Sequence, residues 1–371
     1  LASDPTKVDA LRYFDVMSGP WDALNHDEPF VGTAKRLPGA NFYPADMTKD
    51  EFNASVAQNL GQKDAFQNYF TVIARRDGKL TSIPYSEAYK RWLGPAAAKL
   101  REASVASTEP TLKAFLQARA AAFESNDYRP SDMAWMDVKG DLEITIGPYE
   151  TYADQLFQYK ASYEAFIAIR DVDESKKLEV IGKQTEALER NLPLDPKHRV
   201  DASTRAKGSP IDVVQLLCNA GQGGVQTVAY NLPNDEYVRK EKGSKKVMLK
   251  NILQGKFEHI VKPIAARVVA EDQLSLLNAD AIFTYILMHE VAHGLGPGII
   301  TVNGTKTEVN KALKELYGGL EEAKADITGL VSAQYLIDHK VYPKKYEKEI
   351  YVAYLSTAFR QMRFGVKEAH G

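Results

Sequence analysis

The segment Thr284-Tyr-Ile-Leu-Met-His-Glu-Val-Ala-His293 holds the sharpest chemical signal in this chain. On a helix, residues four apart share a face, so His289 and His293 would aim imidazole nitrogens at one point. Zinc accepts such nitrogens at about 2.0–2.1 Å and leaves a further position for water. Glu290, next to the first histidine, would reach that water as general base rather than the metal. Gly294-Leu-Gly-Pro-Gly298 is expected to end the helix, since Gly favours C-cap geometry and Pro cannot continue it. Two helical histidines, one of them packed in a core, would give the same spacing without a metal.

A second group of residues favours the metal. Glu315 to Leu336 predicts a long helix with an apolar stripe of Leu316, Leu320, Ile327, Leu330 and Val331. Glu322 and Asp326 stand four apart within that region. Unpaired carboxylates are costly to bury, so they either face solvent or are held by a cation. With the histidine pair upstream, Glu322 is expected to complete a His₂Glu site for one Zn²⁺ per chain. Glu321 or Asp326 would then accept the second N–H of a ligand histidine and fix its tautomer.

The elements that must position these residues follow from periodicity and breaks. Residues 1–130 predict helices separated by Ser18-Gly-Pro20, Leu37-Pro-Gly39 and Leu93-Gly-Pro95, with an Ala-rich helix from Pro110 to Ser125. Leu142–Ile146 and Tyr163–Ile169 alternate like strands, joined through a turn-prone Gly147-Pro-Tyr-Glu-Thr-Tyr152. Lys176–Leu192 predicts a helix, Ile211–Leu217 and Val225–Tyr230 predict strands, and the chain beyond Phe257 is expected to be almost wholly helical.

At this point the chain resembles the dipeptidyl peptidase III family of zinc exopeptidases, from about Gly147 onward. The zinc helix is one motif, and Glu321-Glu-Ala-Lys-Ala-Asp326 is similar to the family's Glu-Glu-Cys-Arg-Ala-Glu, whose second Glu binds zinc. Glu150-Thr-Tyr152 resembles the family's Glu-Ser-Tyr, and Asn231-Leu-Pro-Asn234 its Asn-Ile-Pro-Asn. The resemblance implies that Glu150, Asn231 and Asn234 hold the free amino end of a peptide, and that Tyr152 stabilises the tetrahedral intermediate. It implies an α+β, mainly α fold of two lobes with a cleft. Residues 1–170 plus about 207–256 would form a mixed lobe containing a small β-sheet or barrel. Residues of about 171–206 plus 257–371 would form the helical zinc-binding lobe. The activity implied is release of dipeptides from unblocked N-termini by metal-activated water, with Glu290 as general base. A zinc endopeptidase, another zinc hydrolase, or a catalytically impaired peptide-binding fragment are the alternatives.

Two departures stand out. The best-known members carry one more residue between the ligand histidines, so the spacing here resembles the shorter bacterial branch, also seen fused to Nudix domains in plants. The family's catalytic histidine finds no counterpart in Leu355–Arg360, and His370 is left without a role. The resemblance also implies further chain beyond Gly371, including an Arg that contacts the substrate's carboxyl end.

Composition narrows the alternatives. The 371 residues are 44% hydrophobic and 26% charged, with a net charge of −2, which offers no electrostatic footprint for nucleic acid. The basic stretch Arg239–Lys246 is interrupted by Glu241 and Gly243 and is expected to be a solvated loop. Cys218 is the only cysteine and is expected to be a small core residue. No apolar run approaches the roughly 20 residues that cross a bilayer, so no membrane partner is expected, and the peptide partner is what the resemblance implies. A cytoplasmic location is expected, or export after removal of a signal not present in this sequence.

Overall fold

A computed structural model describes residues 4–58, 60–199, 210–221, 223–224, 226–313 and 316–365; His370 lies outside them. The chain divides into two compact units. The first comprises Leu1–Arg170, Leu216–Gln226 and Leu232–Lys242; the second comprises Asp171–Gln215, Thr227–Asn231 and Gly243–Gly371. Residues 211–215, 227–231 and 243–256 belong to the second unit, not to the mixed lobe in which they were expected. The reason is pairing: Ile211–Val214 run parallel to Lys246–Leu249, and Met248 joins the core beneath the zinc helix.

In the first unit, helix Pro110–Ser125 starts and stops by local chemistry. Pro110 fills its first turn, the Glu109 carboxylate accepts from the Thr111 and Leu112 amides, and Asn126 closes it in the left-handed region. An aromatic-rich core of Phe42, Tyr43, Phe52, Phe66 and Tyr85 packs behind the hairpin Thr71–Arg76 and Lys79–Pro84. Lys160 is fully buried there, donating to the Phe66 and Asn68 carbonyls at 2.7 and 3.0 Å and to Thr71 Oγ1 at 2.8 Å. Burial pushes its ammonium down, to about 7, against the pull of Asp154.

The small sheet has five strands, in the order Leu142–Glu150, Ser162–Arg170, Ile211–Ala220, Lys245–Leu249, Ala229–Leu232. The expected turn at 147–152 is a continuation of the first strand, which runs to Glu150 and shifts register between Pro148 and Glu150. Proline has no amide to donate, so the ladder bulges there instead of ending. The predicted strand at Val225–Tyr230 lies later, at Ala229–Leu232, and Val225 is outside the described residues.

Three further expectations are corrected. Cys218 is exposed, because Ile211–Ala220 buries only its first four residues. The basic stretch is not a solvated loop: it is helical to Lys242, and Lys245 and Lys246 are buried in a strand, with Lys245 3.9 Å from Asp212. The chain beyond Phe257 includes the hairpin Ile299–Val302 and Thr305–Glu308. Asn303 and Gly304 both have positive φ, as a two-residue Asn-Gly turn requires. No helix among the described residues is long and apolar enough to cross a membrane.

Candidate metal centre

The zinc-motif helix spans Ala279–His293. Asn278 caps it, its side chain accepting from the Ala281 amide at 2.9 Å. The helix is apolar on nearly every side, and Ala281, Ile282, Tyr285, Leu287, Met288 and Val291 are all in the core of the second unit. A helix buried on nearly every side is held chiefly by packing, which makes it a rigid carrier for the two histidines.

The partner helix spans Tyr317–Asp338. The predicted apolar stripe reaches the core only in part: Leu330 packs against it, whereas Leu316, Leu320 and Ile327 are 64%, 53% and 62% exposed. The buried face is small from Ala325 through Gly329, Ser332 and Ala333, and turns large only at Leu336 and Ile337. A Cβ placed on Gly329 would lie 3.0 Å from Met288 C and O and from His289 N. Only a small-residue face lets the two backbones approach that closely, and this rotation turns the carboxylates of residues 321, 322 and 326 toward the histidines.

The geometry of the cluster is compact. His289 Nε2 and His293 Nε2 are 3.1 Å apart, and Glu322 Oε2 lies 3.1 Å from the first and 3.6 Å from the second. One ligand atom from each residue falls within 4.8 Å of the others. Behind the rings, His289 Nδ1 donates to Asp326 Oδ1 at 2.7 Å and His293 Nδ1 donates to Glu321 Oε1 at 2.9 Å. The alternative left open by the sequence is therefore resolved as both, one carboxylate per histidine. The shorter side chain of Asp326 reaches His289 without difficulty.

With the protons held at Nδ1, the Nε2 lone pairs converge on each other and on the Glu322 carboxylate. Such an arrangement of acceptors repels itself unless a cation or a proton lies among them, so the donor set fits a zinc ion. The protonation behaviour agrees. Burial alone would push the imidazoles down, yet hydrogen bonds to Asp326 and Glu322 and the nearby Glu290 charge push His289 up, to about 10. His293 is likewise raised against its burial, by Glu321, Glu322 and Glu290. A proton there answers the same electrostatic demand as a metal.

Three residues of this centre were not singled out from the sequence. Tyr285, one turn before His289, donates to Asp326 Oδ1 at 2.6 Å. Lys324 Nζ sits 2.7 Å from Glu321 Oε1 and donates to the Leu295 carbonyl at 3.1 Å. Gly329 sets the helix separation. The available signals were the spacing of Tyr285 four residues before His289 and of Lys324 three residues after Glu321.

The remaining candidates are apart from this cluster in the chain. Glu150 ends its strand in the first unit; burial pushes its carboxyl up, opposed by a hydrogen bond from Asn234. Asn234 Nδ2 also donates to the Tyr149 carbonyl at 3.0 Å. Tyr152, two residues past the strand end, is 77% exposed. Asn231 belongs to the second unit, on strand Ala229–Leu232, and its buried Oδ1 has no hydrogen-bond partner among the described residues.

Two imidazoles from one helix and a carboxylate from its neighbour, each imidazole backed by a second carboxylate, form a group that could hold a metal ion in the manner that hydrolases use. The model of peptidase family M49 matches residues 34–324. The dipeptidyl peptidase III structure from Caldithrix abyssi superposes with a TM-score of 0.93 at 49% identity, covering all of this chain and 71% of that one. The dipeptidyl-peptidase III from Corallococcus sp. strain EGB gives 0.91 at 44% identity, covering 70% of its chain. Among curated proteins, Nudix hydrolase 3 of Arabidopsis thaliana is 40% identical across the whole of this chain, which spans 54% of that protein. The chain belongs to peptidase family M49, the family of the dipeptidyl peptidases III. It spans about half the length of this plant relative.

Proposed function

We propose that this chain carries the catalytic centre of a zinc-dependent peptidase that releases dipeptides from the unblocked N-terminus of peptides. The observation that carries the reading is the convergence of His289 Nε2, His293 Nε2 and Glu322 Oε2 within 4.8 Å of one another. A zinc ion bound by these three would polarise a scissile carbonyl and bring the pKa of water toward about 7.

The chain's own residues do the rest. Glu290, half-buried on the zinc helix, takes the proton of the attacking water and delivers it to the leaving amine. Tyr152 is exposed enough to meet a substrate and donates a hydrogen bond to the developing oxyanion, an effect worth about 2.7–4 kcal/mol for a single donor. The Glu150 carboxylate and the amide oxygens of Asn231 and Asn234 accept from the substrate's ammonium, a donor of three hydrogen bonds. Support for that last role comes from Asn231 Oδ1, which has no hydrogen-bond partner among the described residues, and from the family to which the chain belongs.

Metal content and mass-spectrometric product analysis test the reading together. The wild-type protein should hold one zinc and release dipeptides from an unblocked peptide but not from its N-acetylated form. Glu290→Gln should keep the zinc and lose about 10²–10⁴-fold in rate. Internal cleavage of the acetylated peptide would indicate an endopeptidase instead, and stoichiometric zinc without cleavage of any peptide would refute the enzymatic reading.

A further inference from the structure

We infer that Lys324 is a positioning residue for the metal centre: it holds the Glu321 carboxylate beneath His293 by clamping it to the C-terminal end of the zinc helix. The inference rests on reading His289, His293 and Glu322 as the zinc ligands.

The last carbonyls of a helix have no intrahelical partner. Here the Lys324 ammonium, reaching over from the neighbouring helix, lies 3.4 Å from the His293 carbonyl and 3.1 Å from the Leu295 carbonyl. Its third neighbour is Glu321 Oε1 at 2.7 Å, the same oxygen that accepts from His293 Nδ1. An ammonium has three donors and no acceptor, and three oxygens receive them. Lys324 thus contacts both ends of one unit: the carboxylate that orients the His293 ring, and the backbone from which that ring hangs. The Glu321 side chain is only 17% exposed, so water competes poorly for it. A cation at a helix C-terminus is favourable in its own right, but that alone would not require it to share an oxygen with the ligand's partner.

The position predicts a sign that separates geometry from simple charge. Deleting a positive charge beside a dication site raises affinity for the dication through Coulomb's law. Loss of the clamp does the opposite, because contacts behind a ligand typically change metal affinity by about 10–100-fold. Lys324→Met is therefore expected to weaken zinc binding about tenfold in competition with a chelator, with the thermal unfolding of the zinc-free protein close to wild type. Lys324→Arg, which keeps the charge and the donors, should restore wild-type affinity. In a Glu321→Gln background, Lys324→Met should have almost no further effect, since the two act as one unit.

Unchanged or tighter zinc binding by Lys324→Met overturns the inference, as does an equal loss in both backgrounds. If Lys324→Met fails to fold, Lys324→Gln, shorter and polar at a site one-third exposed, carries the same expectations. Failure of the wild-type protein to bind zinc would sink the metal-centre reading itself, an outcome distinct from any of these.

Discussion

Gly329→Ala is the most informative single change to the proposed centre, because it adds one methyl group where two helices meet. The new Cβ would lie 3.0 Å from Met288 C, Met288 O and His289 N, all of them backbone atoms. No side chain can swing aside, so the helices must separate by a few tenths of an ångström. Two energies compete. Alanine is better than glycine inside a helix by about 1 kcal/mol, whereas overpacking a close-packed interface costs about 1–3 kcal/mol. The zinc-free protein should therefore be unchanged or up to about 2 kcal/mol less stable. The ligand geometry is less forgiving. Metal–ligand distances tolerate about ±0.2 Å, and the separation moves Glu322 away from both histidines. Zinc affinity should fall by about 10–100-fold, and the zinc-induced rise in Tm should shrink accordingly. Chelator competition and paired melting curves, with and without zinc, measure both quantities. A variant that is more stable than wild type and binds zinc within about twofold of it would refute this account of the helix contact and of the register it imposes.

Other substitutions probe the remaining parts. Glu322→Ala should weaken zinc binding by more than the roughly 10–100-fold typical of contacts behind the ligands; an unchanged metal content would remove Glu322 from the ligand set. Glu150→Gln should raise KM for unblocked peptides about tenfold or more while leaving kcat nearly constant, since an ammonium–carboxylate hydrogen bond contributes about 1.5–3 kcal/mol. In the wild type, burial raises the Glu150 pKa, so KM should climb as pH falls through a value above the ordinary carboxylate range of about 4.3. Lys160→Met should destabilise the protein by about 2 kcal/mol or more, because three oxygens lose their donor. Lys160 is held down to about 7 when folded but titrates near about 10.4 when unfolded. The unfolded chain thus binds more protons between those values, so stability rises with pH across that window. Urea titrations from pH 7 to 10 should show that rise in the wild type and lose it in Lys160→Met.

Much of the candidate centre was legible in advance. The His289–His293 spacing is a property of one helical turn, and the Gly294 stop is local as well, as is the Asn278 cap, which was not singled out from the sequence. The carboxylates at 321, 322 and 326 stood out because charged residues interrupted an apolar pattern. Local signals were also overlooked. Asn303-Gly304 is a hairpin turn by its residue types alone, and the small residues at 325, 329, 332 and 333 already marked a helix face suited to close packing.

The sequence by itself determined the chemistry, since which atoms can bind a metal and how far apart one helix sets them are properties of residue type and of a 3.6-residue turn. Only the tertiary structure decided the pairings. Whether Leu316, Leu320 and Ile327 or Ala325 and Gly329 face the core depends on the rotation of the second helix about its own axis. That rotation is set by how closely two backbones can approach, a property of the pair rather than of either helix. The same rotation gives Asp326 to His289 and Glu321 to His293, and it brings Lys324 to the end of the zinc helix.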